Sequence, residues 1–397
     1  MRVLIVTGNF AGENQNPWLL DDLALQFARS GDEVDVIVHD TKNARARGSQ
    51  DRHVDGIRVT SVGPTRVRAG RLGKILNHVE AGWGLHTIGF RSARTSPYDL
   101  CVYTSIGAFS WGLPARLRRA GLVKRSVFVL WDFFPIHQLE IGRIAANWLH
   151  APLRGLESLS MRNADAIAVM SPANERFLRT YHRDVRGETI LVPPWASDPF
   201  SGGIVRSGTK RERFTAIFGG QLVAGRGLDT LLRAAKRLQD SACPVDILIV
   251  GDGSARVSLI ALAQELGLTN TTFLAGLPRE EYRELLRSSH IGIAVTVAGV
   301  SPPTFPSKIV EYCASGVPMV VCVEPASDAG SIVEAAGAGL SARAGDDASL
   351  AIAIKELHAE EAAGILEARA RRARDFFEAE LSVSRAVETI RAVALTT

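Results

Sequence analysis

Phe214-Thr-Ala-Ile-Phe218, closed by Gly219-Gly220, is the stretch from which the fold can be read. A short run with no polar alternation suits a strand buried on both faces, and paired glycines make a tight turn at its end. Downstream the pattern repeats. A helix is predicted from about Asp229 to Leu238, then the strand Val245-Asp-Ile-Leu-Ile-Val250, the turn Gly251-Asp-Gly253 and a helix over roughly 255–266. Thr272-Phe-Leu274, Ile291-Gly-Ile-Ala-Val295 and Val317 to Val323 read as strands, Glu280 to Ser288 as a helix, and the end of the chain as helix-rich. Apolar strands alternating with amphipathic helices predict a parallel sheet covered on both faces.

The first half repeats this plan. Val3-Leu-Ile-Val6 is a strand, Pro17 to Ser30 a helix ending at Gly31, and Val34-Asp-Val-Ile-Val38 the next strand. Leu100-Cys-Val-Tyr103, Val127-Phe-Val-Leu130 and Ala166-Ile-Ala-Val-Met170 follow as strands. Between the halves, Val192-Pro-Pro-Trp-Ala-Ser-Asp-Pro-Phe-Ser-Gly-Gly203 and a polar basic stretch to Arg213 form the clearest linker. Expected are an α/β domain over 1–195, a second over 196–375, and a tail over 376–397 that packs back on the first. Ala373 to about Val393 reads as a single helix, apolar at Phe376, Phe377, Leu381, Val383 and Val387.

At 397 residues the chain is long enough for two ordinary domains, and 46% hydrophobic with 22% charged residues is a globular composition. No apolar run approaches the roughly 20 residues of a membrane span, and no secretory signal pattern precedes the first strand. Cys101, Cys243, Cys313 and Cys322 are scattered without metal-ligand spacing, as expected of reduced thiols in a cytoplasmic protein. Charge is uneven: residues 41–186 hold 23 Lys+Arg against 10 Asp+Glu. Arg66-Val-Arg-Ala-Gly-Arg-Leu-Gly-Lys74 and Arg116-Leu-Arg-Arg-Ala-Gly-Leu-Val-Lys-Arg125 are the densest clusters. Such a field attracts anionic partners, and solvated helix faces would give the same pattern. No zinc-finger spacing or RNA-binding aromatic motif is present, so nucleic acid is not expected as a partner.

Chemistry concentrates in Phe305-Pro-Ser-Lys-Ile-Val-Glu-Tyr-Cys-Ala-Ser-Gly-Val-Pro318. Pro306 suits a first helical turn, whose free N–H groups face an anion with the helix dipole behind them. Lys308 adds a full charge there, and Glu311 lies about one turn on along the same face. A phosphate-accepting turn beside a carboxylate that holds sugar hydroxyls is what a nucleotide-sugar site needs. A merely charged first turn is the other reading of this segment taken alone.

Four ordered segments resemble retaining glycosyltransferases of the family 4 type, two-domain GT-B enzymes. They are Phe218-Gly-Gly-Gln-Leu-Val-Ala-Gly-Arg-Gly-Leu-Asp-Thr-Leu-Leu232, Val250-Gly-Asp-Gly253, Phe273-Leu-Ala-Gly-Leu-Pro278 and the 305–318 stretch. The likeness covers the C-terminal half; the N-terminal half matches in outline only. It implies two Rossmann-like doubly wound domains facing a cleft. Carried onto this chain, it places Arg226 and Lys308 on the donor diphosphate. It puts Gly220, Gln221, Gly253, Leu277, Ser307, Ile309 and, in the first domain, Gly12 around the donor, with Glu311 on the ribose.

The departures are specific. The family's Arg-then-Lys pair appears as Gln221 and Arg226, which removes one cation and turns the other into a guanidinium. The first glutamate of the family's Glu–x7–Glu motif falls on Pro303, so only Glu311 remains. The Pro-Ser-Lys variant resembles a branch acting in polysaccharide and capsule-type assembly. Where the family tends to carry His-Asp after a mid-domain strand, this chain has Trp131-Asp132. Asp132 is the candidate catalytic carboxylate, with a helix cap as its other reading. Trp131 and His137 are candidate acceptor contacts, with core packing and a structural histidine as theirs.

The resemblance implies transfer of a sugar from a nucleoside-diphosphate donor, a UDP-sugar first among them, with anomeric configuration kept and without a metal or cofactor. Lipid-linked or saccharide acceptors, and an anionic membrane surface at the inner face, are the expected partners. Two alternatives stay open: a nucleotide-sugar 2-epimerase, and a non-catalytic nucleotide-sugar-binding homologue.

Overall fold

The computed structural model of the protein describes residues 1–11, 19–43, 49–104, 112–142, 148, 150–200 and 210–395. The chain divides into two compact units, Met1–Pro193 with Val383–Thr397, and Pro194–Ser382.

The first unit is built on an eight-stranded sheet. Its strands are β1 (Arg2–Thr7), β2 (Glu33–His39), β3 (Ser49–Val54), β4 (Ile57–Val62), β5 (Tyr98–Tyr103), β6 (Val123–Leu130), β7 (Ala166–Val169) and β8 (Glu188–Leu191). They lie in the order β3-β4-β2-β1-β5-β6-β7-β8, all parallel except β3, which pairs antiparallel with β4. β1 is buried along its whole length, which is why it reads as an uninterrupted apolar run. The β3–β4 hairpin was not legible as apolar strand, because Ser49-Gln-Asp-Arg-His-Val54 is polar and lies at the sheet edge.

The second unit has six parallel strands: β9 (Phe214–Gly219), β10 (Val245–Val250), β11 (Thr271–Leu274), β12 (Ile291–Val295), β13 (Met319–Val323) and β14 (Gly339–Arg343). Their order, β11-β10-β9-β12-β13-β14, is that of a dinucleotide-binding sheet. The strand sequence reverses between β9 and β12. Ligands of such sheets sit at the carboxyl ends of the strands at that reversal. Phe218, Leu231, Leu238, Ile249 and Ile293 are fully buried in the core beneath it.

The long terminal helix expected over 373–393 is broken. A helix over Leu366–Phe376 runs into a π-helical turn at Phe377–Leu381, and a new helix starts at Val383. Ser382 between them is extended, at φ −73° and ψ 146°, and bridges Ala196, whose N–H donates to the Leu381 carbonyl at 3.1 Å. The backbone of Leu381–Ser382 pairs with the linker and cannot also continue the helical ladder. The last helix, Val383–Leu395, packs on the Leu19–Arg29 helix and β6 within the first unit, where Arg391 pairs with Asp32.

Candidate functional site

Three loops leave the carboxyl ends of β9, β10 and β11 and are stitched together mainly by backbone. The Gly220 N–H donates to the Val250 carbonyl at 2.9 Å, that of Gly251 to Leu274 at 3.1 Å, and that of Leu222 to Asp252 at 2.9 Å. The Asp252 carboxylate accepts the Gly276 N–H at 2.7 Å. The spacing is too close for side chains. A Cβ on Gly251, which holds φ +146°, would stand 1.9 Å from the Gly220 carbonyl oxygen. At Gly220 a Cβ would stand 3.0 Å from Lys308 Nζ, so the bare turn is what lets that ammonium approach the end of β9.

Lys308 comes from the other side of the strand reversal. The loop after β12 leads into the Lys308–Ala314 helix. Ile309, Val310, Tyr312 and Cys313 bury its inner face, while Lys308 and Glu311, three apart, are only half buried. Tyr312 fixes the helix against the sheet: its ring occupies the space that a side chain at Gly292 would fill, 2.5 Å from such a Cβ. Its hydroxyl donates to the Ile293 carbonyl at 2.9 Å. The Lys308 ammonium then lies 4.7 Å from the centre of the Phe218 ring. Lost hydration draws its pKa down to about 8, Arg226 repels it further, and Glu311 pulls the other way. Lys308 therefore stands against the Gly220 turn at the reversal, where its charge interacts with those of Arg226 and Glu311. Two cations face a single carboxylate there, so the cluster keeps a net positive charge.

The anion-binding N–H groups are narrower than expected. The Ile309 N–H donates to Pro306 at 3.0 Å and that of Val310 to Ser307 at 3.2 Å, whereas those of Ser307 and Lys308 make no hydrogen bond among the described residues. Gln221 and Arg226 are exposed in the loop after β9, Gly253 is exposed after β10, and Leu277 is half buried after β11. All four stand at carboxyl ends of this one sheet.

Two supports were missed by reading the sequence. Glu324, 1% exposed just past β13, accepts the Thr304 N–H at 2.6 Å and the Thr296 hydroxyl at 2.7 Å. It pins both ends of the loop that contains Pro303, itself buried. Arg374 donates to the Ala314 carbonyl at 2.8 Å and pairs with Asp198, capping the last turn of the Lys308 helix. The carboxylate directly after the apolar strand Met319–Val323 was a usable signal for the first. Nothing local marks the second.

In the first unit Asp132 is exposed just beyond β6, and Trp131 and His137 are half buried near it. Phe133 is core, 1% exposed and edge-on to Phe177 at 4.7 Å. The turn is held from below by Glu157, which accepts the Phe134 N–H at 3.1 Å and meets His182 Nε2 at 3.0 Å. Both acid and imidazole are fully buried. Burial, with a smaller push from Asp132, raises the Glu157 pKa well above the usual range, and burial lowers that of His182 to about 4. A cavity of about 520 Å³ opens at the carboxyl ends of β1 and β2, lined by Gly8, Phe10, His39, Asp40, Lys42 and Arg52 among others. Gly12, expected near the donor, lies outside the described residues. Among the described residues no three His, Cys, Asp or Glu side chains converge as a metal site would require.

Comparison with known proteins gives this geometry a family setting. Residues 204–375 match the family described as Glycosyl transferases group 1, and residues 20–195 match the Glycosyl transferase 4-like domain. A putative colanic acid biosynthesis glycosyl transferase, WcaI of Escherichia coli K12, is 28% identical over 118 residues, 30% of this chain and 28% of that protein's length. The chain thus spans less than a third of that curated relative. The α,α-trehalose 6-phosphate synthase of Burkholderia multivorans superposes with a TM-score of 0.71 at 15% identity, covering 99% of this chain and 97% of that one. Anabaena HepE, solved in complex with UDP and glucose, superposes at 0.65 and 16% identity, covering 100% and 99%. Likeness at such identities shows the fold, which is GT-B.

Proposed function

We propose that this chain, which carries both domains of a GT-B glycosyltransferase, moves a sugar from a nucleoside diphosphate to a hydroxyl acceptor with retention of configuration. One observation carries the reading: Lys308 stands against the Gly220 turn at the strand reversal, within range of the charges of Arg226 and Glu311. Two cations balanced by a single carboxylate suit a diphosphate. Its arrival would return the Lys308 pKa toward its ordinary value. Glu311 suits the ribose hydroxyls. UDP is the first nucleotide to test, since it is the one present in the HepE complex.

In the reaction the bond from the anomeric carbon to the phosphate oxygen breaks and the leaving diphosphate takes the electron pair. The acceptor oxygen forms the new bond on the same face, and its proton passes to the leaving phosphate. Lys308, Arg226 and the N–H groups of Ser307 and Lys308 stabilise the growing negative charge electrostatically, each donor worth about 3–4 kcal/mol. We assign acceptor recognition to the first unit, with Asp132 beside the acceptor hydroxyl. A hexose or N-acetylhexosamine donor, a saccharide or lipid-linked acceptor, a role in polysaccharide assembly and a place in the Pro-Ser-Lys branch are the finer parts of the proposal. The relative WcaI, named for colanic acid biosynthesis, supports the role in polysaccharide assembly.

A thermal-shift panel of UDP-, GDP- and ADP-sugars, followed by NMR of the product's anomeric centre, tests the reading. A stabilising donor and a retained linkage are expected; an inverted linkage would refute retention. Gln221 and Pro303 favour the non-catalytic alternative, which donor binding without turnover across acceptors would establish. An epimerised donor formed without acceptor would establish the epimerase instead.

A further inference from the structure

The Gly70–Thr95 helix of the first unit carries an apolar stripe on its outside. Leu72 is 77% exposed, Ile75 56%, Leu76 51% and Trp83 72%, and they recur at helical spacing along one face. Most monomers scatter such residues singly, and a contiguous row marks an interaction surface. Val67, 48% exposed, extends the row from the preceding loop.

That loop is fastened to the helix. Glu80 accepts the Thr65 N–H at 2.8 Å, the Thr65 hydroxyl at 2.6 Å and Arg68 Nη1 at 2.7 Å. Asn77 exchanges two hydrogen bonds with the Arg68 backbone, at 3.0 and 3.1 Å. Gly73 allows the approach, since a Cβ there would stand 2.9 Å from the Arg68 Cβ. The surface is built in advance, and its making uses the one carboxylate of the helix.

Cations frame the row. Arg66 and Lys74 are exposed at its start. At its far end Arg116, from the neighbouring Leu113–Arg119 helix, lies 5.0 Å from the Phe90 ring and 3.0 Å from His86 Nδ1. From 66 to 125 the chain has eleven Lys and Arg (Arg66, Arg68, Arg71, Lys74, Arg91, Arg94, Arg116, Arg118, Arg119, Lys124, Arg125) against Glu80 and Asp99. An apolar row edged by positive charge matches an anionic bilayer, with acyl chains for the leucines and phosphates for the arginines. A protein partner's apolar face has no general need of the cationic border. Among the described residues no helix is long and apolar enough to cross a membrane, so this contact would lie in the interface plane.

We propose that the face of Leu72, Ile75, Leu76 and Trp83, bordered by Arg66 and Arg116, docks the protein on an anionic lipid surface. The test is co-sedimentation of the full chain with phosphatidylcholine vesicles, with and without phosphatidylglycerol, at low and high salt. Binding is expected only with phosphatidylglycerol and should fall at least tenfold at high salt. The triple variant Leu72→Ser, Ile75→Ser, Leu76→Ser should lose at least tenfold in vesicle affinity while keeping its melting temperature and its UDP affinity. Trp83→Phe should remove a blue shift in tryptophan emission seen on binding. Undiminished binding by the triple variant, equal binding to phosphatidylcholine alone, or a lipid-free dimer that the triple variant abolishes would each overturn the proposal. None of these readouts involves sugar transfer, so their failure is separate from failure of the donor assignment.

Discussion

The two units share a sheet plan but build their ligand ends from different materials. In the second, backbone fills much of the space: Gly251 and Gly253 press against the Gly220 and Leu222 carbonyls, while Tyr282 and Lys308 close over Gly219 and Gly220. In the first, a buried Glu157–His182 pair holds up the Asp132 turn and a broad cavity stands at the ends of β1 and β2. A site packed this closely tolerates almost no substitution, because an added Cβ at Gly251 or Gly253 meets a carbonyl and one at Gly219 meets the Tyr282 ring. A site made of side chains can be rebuilt residue by residue. On the proposed reading, the close-packed site would take the nucleotide diphosphate and the other the acceptor.

The sharpest way to break this contrast is Gly251→Ala. The new methyl would meet the Gly220 carbonyl at 1.9 Å and force an L-residue to φ +146°. A loss of about 3 kcal/mol or more in urea unfolding is expected, with nucleotide binding gone. Stability within about 0.5 kcal/mol of the parent would show that the loops are not close-packed. Next in size is Lys308→Ala. It should slow transfer by roughly a hundredfold without lowering the melting temperature, since it removes a cation that is poorly hydrated in the fold. An unchanged rate removes Lys308 from the reaction.

Lys308 also gives the second unit a pH signature. A bound diphosphate favours the charged ammonium, so binding raises its pKa and takes up a proton where the free protein has lost one. Nucleotide affinity should therefore hold below pH 8 and decline as pH rises through and beyond about 8. Calorimetry in buffers of different ionisation enthalpy would detect the proton uptake, and Lys308→Ala should abolish it. Asp132→Asn in the first unit, by contrast, should lower kcat while leaving UDP affinity within twofold. A matching loss of UDP affinity would put Asp132 on the donor.

How much of this was legible follows from the same contrast. The strands β9, β10 and β12 announced themselves because both faces are buried, and the glycine turns because only glycine fits. Lys308 and Glu311 stood out because three-residue spacing puts them on one face, and the structure turns that face outward. What stayed hidden depends on contacts far apart in sequence. Arg374 reaches Ala314 across 60 positions, and His182 meets Glu157 through the packing of two helices. The terminal helix was read as continuous because its apolar spacing runs through Leu381 and Val383; the break comes from Ala196, nearly two hundred residues earlier. Periodicity reports which face is buried and is silent about which backbone pairs with which.

The smallest effect expected, and the most particular, comes from the Glu157–His182 pair. Burial raises the acid and lowers the base, so the fold holds both neutral. For Glu157 the folded pKa lies above the unfolded value, so above about pH 4.5 the folded state retains a proton that the unfolded chain has released, and stability falls with rising pH. For His182 the folded pKa of about 4 lies below the unfolded 6.5, so between those values the unfolded chain binds the extra proton and stability rises with pH. Between about 4.5 and 6.5 the two slopes oppose and cancel; above 6.5 only the loss from Glu157 remains. Glu157→Gln keeps an oxygen for the Phe134 N–H and has no proton to lose. Relative to the parent it should gain stability steadily as pH rises above about 4.5, since the His182 slope is common to both, while below 4.5 the two should differ by less than about 1 kcal/mol. Urea unfolding of both proteins across that range measures the difference. A parent more stable than the variant between about pH 4.5 and 6.5, losing that lead on either side, would mean that the buried pair is ionised, a carboxylate against an imidazolium, and that the Asp132 turn rests on a salt bridge instead of a shared neutral hydrogen bond.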